Sequence, residues 1–372
     1  MRYLAEALDR FVDFTTRDTA SLLAKERALL GLSCLLKACD CHGIPKDDLY
    51  LVALPDFTYT RNNNRWKDGF AYGCLIVLPQ GEPNSPILPL GFRANCCGVT
   101  LGSISSAVGQ RDVLQELSGI ADSYEKMSSD DMGRGNHFLS VLRERATGEH
   151  VVLLHGSFDH VKGDANGYPG LYLERSPHWR SRIQTVTIGD FRFNYLLGQD
   201  VQEYANAYIV HEQFTKRMRA MIIKELFPEC EIIFNETHEG LFSNTCIVLG
   251  AYISERPFSC PIMQTPETDV QLVRVTKCIS ALANVRLPSD LYVCPHGGGY
   301  TLNMSISAVE KTNGSYGRAV SSVTLENKSR LECTYLSGLP FKYRTNVASI
   351  WCEALGAGQV VADLVPELCI KP

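Results

Sequence analysis

Apolar and polar positions along this chain fall into two periods. From Ala20 to Cys41 apolar residues recur every three or four positions (LLAKERALLGLSCLLKAC), with Gly43 and Pro45 just beyond, so a helix is expected there. A second long helix is expected from about Asp200 to Leu226, where Tyr204, Tyr208 and His211 share one face. Helices are also expected over Ser105 to Lys126 and over about Asn346 to Leu364. Short Val- and Leu-rich runs read as buried strands: Leu49 to Leu54, Ala71 to Leu78, FLSVL after His137, VVLL before His155, Ile232 to Phe234, Thr245 to Tyr252 and Leu291 to Cys294. Pro79 to Pro89 reads as a surface loop, and the Gly-, Pro- and Arg-rich segment 163–182 as a loop or lid. With no repeat and no dividing linker, the expectation is one α+β domain over 1–372, opening with a helical segment at about 1–45.

Composition narrows this only a little. A hydrophobic content of 45% and a charged content of 21% belong to an ordinary globular chain, and no run approaches the ~20 apolar residues of a membrane span. The N-terminal MRYLAEALDRFVDF is amphipathic and partly acidic, unlike a signal peptide. Fourteen scattered cysteines without a CxxC pair read as thiols in a reducing compartment, so a cytoplasmic location is expected. A net charge of −5 argues against general coating of nucleic acid but allows a local basic groove. Candidate patches are Arg61 to Lys67, Arg175 to Arg182 and Lys216 to Arg219.

The chemistry concentrates in Met132 to Lys162, which holds four of the nine histidines: His137, His150, His155 and His160. His137 opens one strand run and His155 closes another, so two imidazoles from neighbouring strands can meet, as a transition metal requires. Each alone also reads as an ordinary hydrogen-bonded strand-end histidine. PHGGGY, residues 295–300, places His296 beside three glycines whose backbone can approach a ligand closely, and neutral imidazole is a competent nucleophile on phosphorus. NETHEGLF offers His238 among acids, as metal ligand, base or surface residue; Cys96 and Cys97 offer a thiolate or a buried thiol.

Taken in order, PD, NCCGV, GRGNHFL, LLHGS, THE, HGGGY and the C-terminal LVPELCIKP resemble the motifs of the RtcB-type RNA ligase family, from about Leu49 to the end of the chain. The 18-residue gap from His137 to His155 is similar to the family's. The resemblance implies a central-sheet catalytic domain with Cys97 (or Cys96), His137, His155 and His238 as ligands, normally of two manganese ions. It makes His296 the nucleophile that takes GMP from GTP. Asn136, Ser157, Glu239 and the backbone of Gly297, Gly298 and Gly299 then stand at the phosphates, and Lys371 at the base. The implied partner is RNA with 3′-phosphate (or 2′,3′-cyclic phosphate) and 5′-hydroxyl ends, as in tRNA splicing and RNA repair, with an activating protein as a further possible partner.

The chain departs from the family pattern in one direction. The aspartate before the cysteine is replaced by Ala94 or Arg93, depending on alignment; the glutamate after GNHFL is Ser140. HSGSR has become HGSFD, HGAGR has become HGGGY with Tyr300, and HN has become HE with Glu239. Histidines are kept while arginines and base-reading groups go. Three readings follow: a divergent manganese- and GTP-dependent RNA ligase, a nucleotidyltransferase or phosphoester enzyme for a smaller substrate, and an RNA-binding pseudoligase.

Overall fold

The computed structural model describes residues 2–79, 86–104, 137–165, 167–243, 245–265, 267–285, 290–302, 306–313, 319–325, 330–333 and 341–370. The expected helix from Ser105 to Lys126, and the candidates Asn136 and Lys371, lie outside the described residues.

The first periodic segment forms the helix Thr19–His42. Asp18 caps it by accepting from the Ser21 amide at 3.0 Å, and Gly43 ends it in the left-handed conformation at φ 64. Its Leu29, Leu32, Cys34, Leu36 and Cys39 are buried in the largest apolar cluster, against the sheet strand Tyr50–Thr58. The expected N-terminal helical segment divides into the helices Arg2–Asp9 and Thr19–His42 around a short strand, Phe11–Asp13, which pairs in parallel with Tyr50–Thr58.

Two sheets frame the molecule in a mixed α+β architecture. The five-stranded sheet runs Phe11–Asp13, Tyr50–Thr58, Tyr72–Val77, Cys246–Leu249, Glu239–Phe242. The seven-stranded sheet runs Glu231–Thr237, Gly98–Ile104, His150–Gly156, Phe138–Glu144, Gly358–Ile370, Val270–Val275, Phe258–Ile262, and every neighbouring pair is antiparallel. The helix Gln199–Leu226 packs against this sheet and buries Tyr204, Tyr208 and His211 on one face, as their spacing predicts.

Two expectations are corrected. The C-terminal helix from about Asn346 to Leu364 is only a short helical stretch, Val347–Ser349 continued by Ile350–Ala354. Gly356, at φ 64, turns the chain, and Gly358–Ile370 becomes a strand hydrogen-bonded on both edges, with a bulge at Pro366. Pairing on two edges overrides the local helical pattern of residues that include Val360, Val361 and Val365. Second, the strand expected over Thr245 to Tyr252 breaks at Gly250, φ 76, into Cys246–Leu249 and Ala251–Ser254. The second piece leaves the five-stranded sheet and pairs with Tyr292–Pro295. The segment 163–182, expected as a loop or lid, is loop over its described residues apart from the short helix Pro177–Arg180; there Trp179 is fully buried and donates from Nε1 to the Gly170 carbonyl at 2.7 Å.

Candidate active site

Strand register gathers the donors. In the seven-stranded sheet His155 lies opposite Val99 on one side and Phe138 on the other, so Cys97 and His137, just before those strands, reach the same sheet end. Thr237 lies opposite Gly98, which carries His238 to the same point; its amide donates to the Cys97 carbonyl at 2.9 Å. The side chains meet accordingly. Cys97 Sγ is 3.3 Å from His155 Nε2 and 3.5 Å from His137 Nε2, and His155 Nε2 is 3.3 Å from His238 Nε2. All four residues are buried.

These separations suit a cation. Bonds of roughly 2.0–2.3 Å at tetrahedral angles place neighbouring sulfur and nitrogen donors about 3.3–3.7 Å apart. Cys97, His155 and His238 bring their donor atoms within 4.8 Å of one another, and His137 stands at the thiol as a fourth. Burial, followed by the nearby His296, His155, Arg219 and His137, pushes His238 well below its ordinary pKa, so the ring is the neutral form that ligates metals. Of the doubled cysteines, Cys97 faces the histidines, whereas Cys96 is in the main apolar cluster and burial drives its thiol far up.

Gly250 ties this group to His296. Its amide donates to the His238 carbonyl at 2.8 Å, and its carbonyl accepts from the His296 amide at 3.2 Å. The two imidazole centroids are 4.8 Å apart. Behind His296 stands Asp56, fully buried in the strand Tyr50–Thr58, its Oδ2 2.9 Å from His296 Nδ1 and 3.0 Å from the Gly297 amide. A carboxylate can only accept, so in the neutral ring Nδ1 carries the proton and the lone pair is left on Nε2. His296 Nε2 is buried without a hydrogen-bond partner among the described residues. That is the tautomer a nucleophile needs.

The glycines of HGGGY serve this arrangement. A Cβ on Gly299 would lie 2.2 Å from the Asp56 carbonyl oxygen, and Gly297 adopts φ 98 with the same conflict against Met263. The Gly297 amide is engaged by Asp56, and the Gly298 amide lies 3.4 Å from His296 Nδ1. The Gly297 amide is thus tied to the same carboxylate oxygen that faces the imidazole, where the resemblance led to the expectation of a phosphate contact. Ser157 Oγ is buried with no hydrogen-bond partner among the described residues. Glu239 forms a buried ion pair with Arg65, whose guanidinium also donates to the carbonyls of Phe92 and Arg93. Arg93, where the family carries its aspartate on one alignment, pairs with Glu174.

Sequence reasoning missed several contributors. Asp56 was signalled by a carboxylate beside a wholly apolar strand run. Tyr252, whose hydroxyl is 3.4 Å from His238 Nδ1, had no such signal. Nor did Arg219, a fully buried member of the KRMR patch, which donates to the carbonyls of Cys96 at 3.1 Å and Gly156 at 3.2 Å. It thus holds the residues next to two donors from the helix Gln199–Leu226. Three residues of the basic patches are engaged internally: Arg175 with Asp159, Arg182 with Asp200 and Glu203, Lys216 with Glu236. His150 and His160 stay out of the cluster; His150 pairs with Glu367 at 3.0 Å. No protein-family model matches the chain, and no curated protein matches it.

Proposed function

We propose that this chain is a metal-dependent nucleotidyl-transferring enzyme of the RNA-ligase type, related in its site to the RtcB-type ligases it resembles. One observation carries the reading: an unpartnered imidazole nitrogen backed by a buried carboxylate stands one ring away from a buried thiol–imidazole donor set. His296 Nε2 attacks the α-phosphorus of a nucleoside triphosphate, GTP in the family. An N–P bond forms, the α–β phosphoanhydride breaks, and pyrophosphate leaves. Asp56 holds the Nδ1 proton and stabilises the charge that develops on the ring. An RNA 3′-phosphate oxygen then takes the nucleotide from the histidine, and a 5′-hydroxyl attacks the activated 3′-phosphate, expelling the nucleoside monophosphate.

Cys97, His137, His155 and His238 would hold the cation, which when bound draws charge from the triphosphate. This donor set accounts for one ion. Its sulfur and nitrogen ligands suit zinc or cobalt at least as well as manganese, which stands lowest in the general affinity order. Metal analysis of the purified protein therefore belongs to the test.

A second reading, transfer of the nucleotide to an acceptor smaller than RNA, is favoured by the internal pairing of Arg175, Arg182 and Lys216. The protein is incubated with manganese, cobalt or zinc in turn and with α-labelled GTP or ATP. The expected result is an acid-labile, base-stable adduct that is lost in His296→Ala. Absence of an adduct with either nucleotide refutes both readings. Joining of RNA 3′-phosphate and 5′-hydroxyl ends separates the first from the second.

A further inference from the structure

His296 opens on a cavity of about 330 Å3, lined also by His155, the rings of Phe138 and Tyr343, Met263 and Gln264. That volume lies at the small end of ligand sites, the scale of part of a nucleotide rather than of a nucleic-acid strand. The segment bearing Gln264 is fixed against the nucleophile, since the Met263 amide donates to the His296 carbonyl at 2.8 Å.

Gln264 is only 6% exposed, yet its carboxamide oxygen has no hydrogen-bond partner among the described residues. The orientation of that amide is set by a chain of contacts. Gln271 Nε2 donates to Asp363 Oδ1 at 3.1 Å, and Gln264 Nε2 donates to Gln271 Oε1 at 3.4 Å. Asp363 accepts only, which fixes Gln271, and Gln271 in turn fixes Gln264. The oxygen left over is an acceptor on a residue that lines the same cavity as His296. A buried acceptor is costly to leave unmatched, so its natural complement is a donor on the ligand.

A nucleotide whose α-phosphorus meets His296 Nε2 must lay its sugar and base into the space that the imidazole lines. The rings of Phe138 and Tyr343 suit the broad face of a purine. From this, and resting on the reading of His296 given above, we infer that Gln264 selects the nucleotide by accepting a hydrogen bond from the exocyclic amine of a purine base. Guanine and adenine both carry such an amine.

The test measures binding by calorimetry in full-length, metal-loaded His296→Ala protein, which cannot form the adduct. The probes are GTP against ITP, which lacks the guanine amine, and ATP against purine riboside triphosphate, which lacks the adenine amine. One amine-bearing nucleotide is expected to bind about tenfold more tightly than its counterpart, a difference that Gln264→Leu shrinks to about twofold or less. The pair that shows the difference names the base. Equal affinity within both pairs overturns the proposal without recourse to the Gln264 variant, as does a preference that survives Gln264→Leu. Adduct formation on wild-type protein is scored separately. An adduct without amine discrimination overturns the role of Gln264 alone; discrimination without an adduct supports that role and overturns the transfer chemistry.

Discussion

The two halves of the site are built differently. Cys97, His137 and His155 sit at one end of the seven-stranded sheet, with ring nitrogens and sulfur turned toward one another at 3.3–3.5 Å. Asp56 and His296 come from a strand of the five-stranded sheet and from the end of a two-stranded ribbon, with one carboxylate set behind one ring. His238 stands at the seam, between the last residue of one sheet and the first of the other. The donor half converges on a point, which suits a cation; the nucleophile half aims one nitrogen outward, which suits an attack. Such a division lets the halves be broken one at a time.

The largest effect is expected from His155→Ala, which removes the donor that reaches both Cys97 and His238. Metal affinity should fall by more than about 100-fold, and adduct formation should drop to background. Elemental analysis checks this, and normal metal content would refute the donor half. Asp56→Asn should act on the other half alone. Metal content is expected to stay the same while adduct formation slows roughly 10²–10⁴-fold, because His296 loses the carboxylate that sets its tautomer. Loss of metal in this variant would show that the halves are not separable.

Arg219→Met tests what holds the donors from behind. It deprives the buried carbonyls of Cys96 and Gly156 of a donor and should cost roughly 2–4 kcal/mol in denaturant unfolding. A cost under about 0.5 kcal/mol would remove Arg219 as a support of the site.

The smallest effect concerns the loop after His155. Asp159 accepts two 2.8 Å hydrogen bonds from Arg175, which together with Lys162 lower its pKa from 3.8 to about 2. A folded-state value below the unfolded one means that the contribution is fully present above about pH 4 and fades as pH falls toward 2. Asp159→Asn should therefore cost at most about 1 kcal/mol at neutral pH and flatten acid unfolding in that window. An unchanged acid limb would show that the pair contributes nothing.

The pair also joins residues 16 positions apart, Asp159 in this loop and Arg175 in the segment beyond it. Arg65 and Glu239 pair over a longer span. Each looked like a surface or ligand-facing group in sequence, and each is buried against the other. Long-range pairing between charged residues 174 positions apart leaves no local pattern to read.

The sequence by itself determined the two long helices and most of the short apolar strands, and the resemblance it carries pointed to the histidines of the cluster. Period and capping are local, and a histidine at each end of two adjacent strands can meet in few ways. Only the tertiary structure decided that Gly358–Ile370 is a strand, because its stability comes from partners on both edges rather than from its own pattern. It also decided between Cys96 and Cys97: Cys96, at φ 56, turns the backbone just before the strand Gly98–Ile104, which leaves its own side chain in the apolar cluster and Cys97 at the histidines. Asp56 and Gln264 became readable as chemistry only there. A buried carboxylate or amide takes its meaning from the partner that folding brings to it, or leaves open.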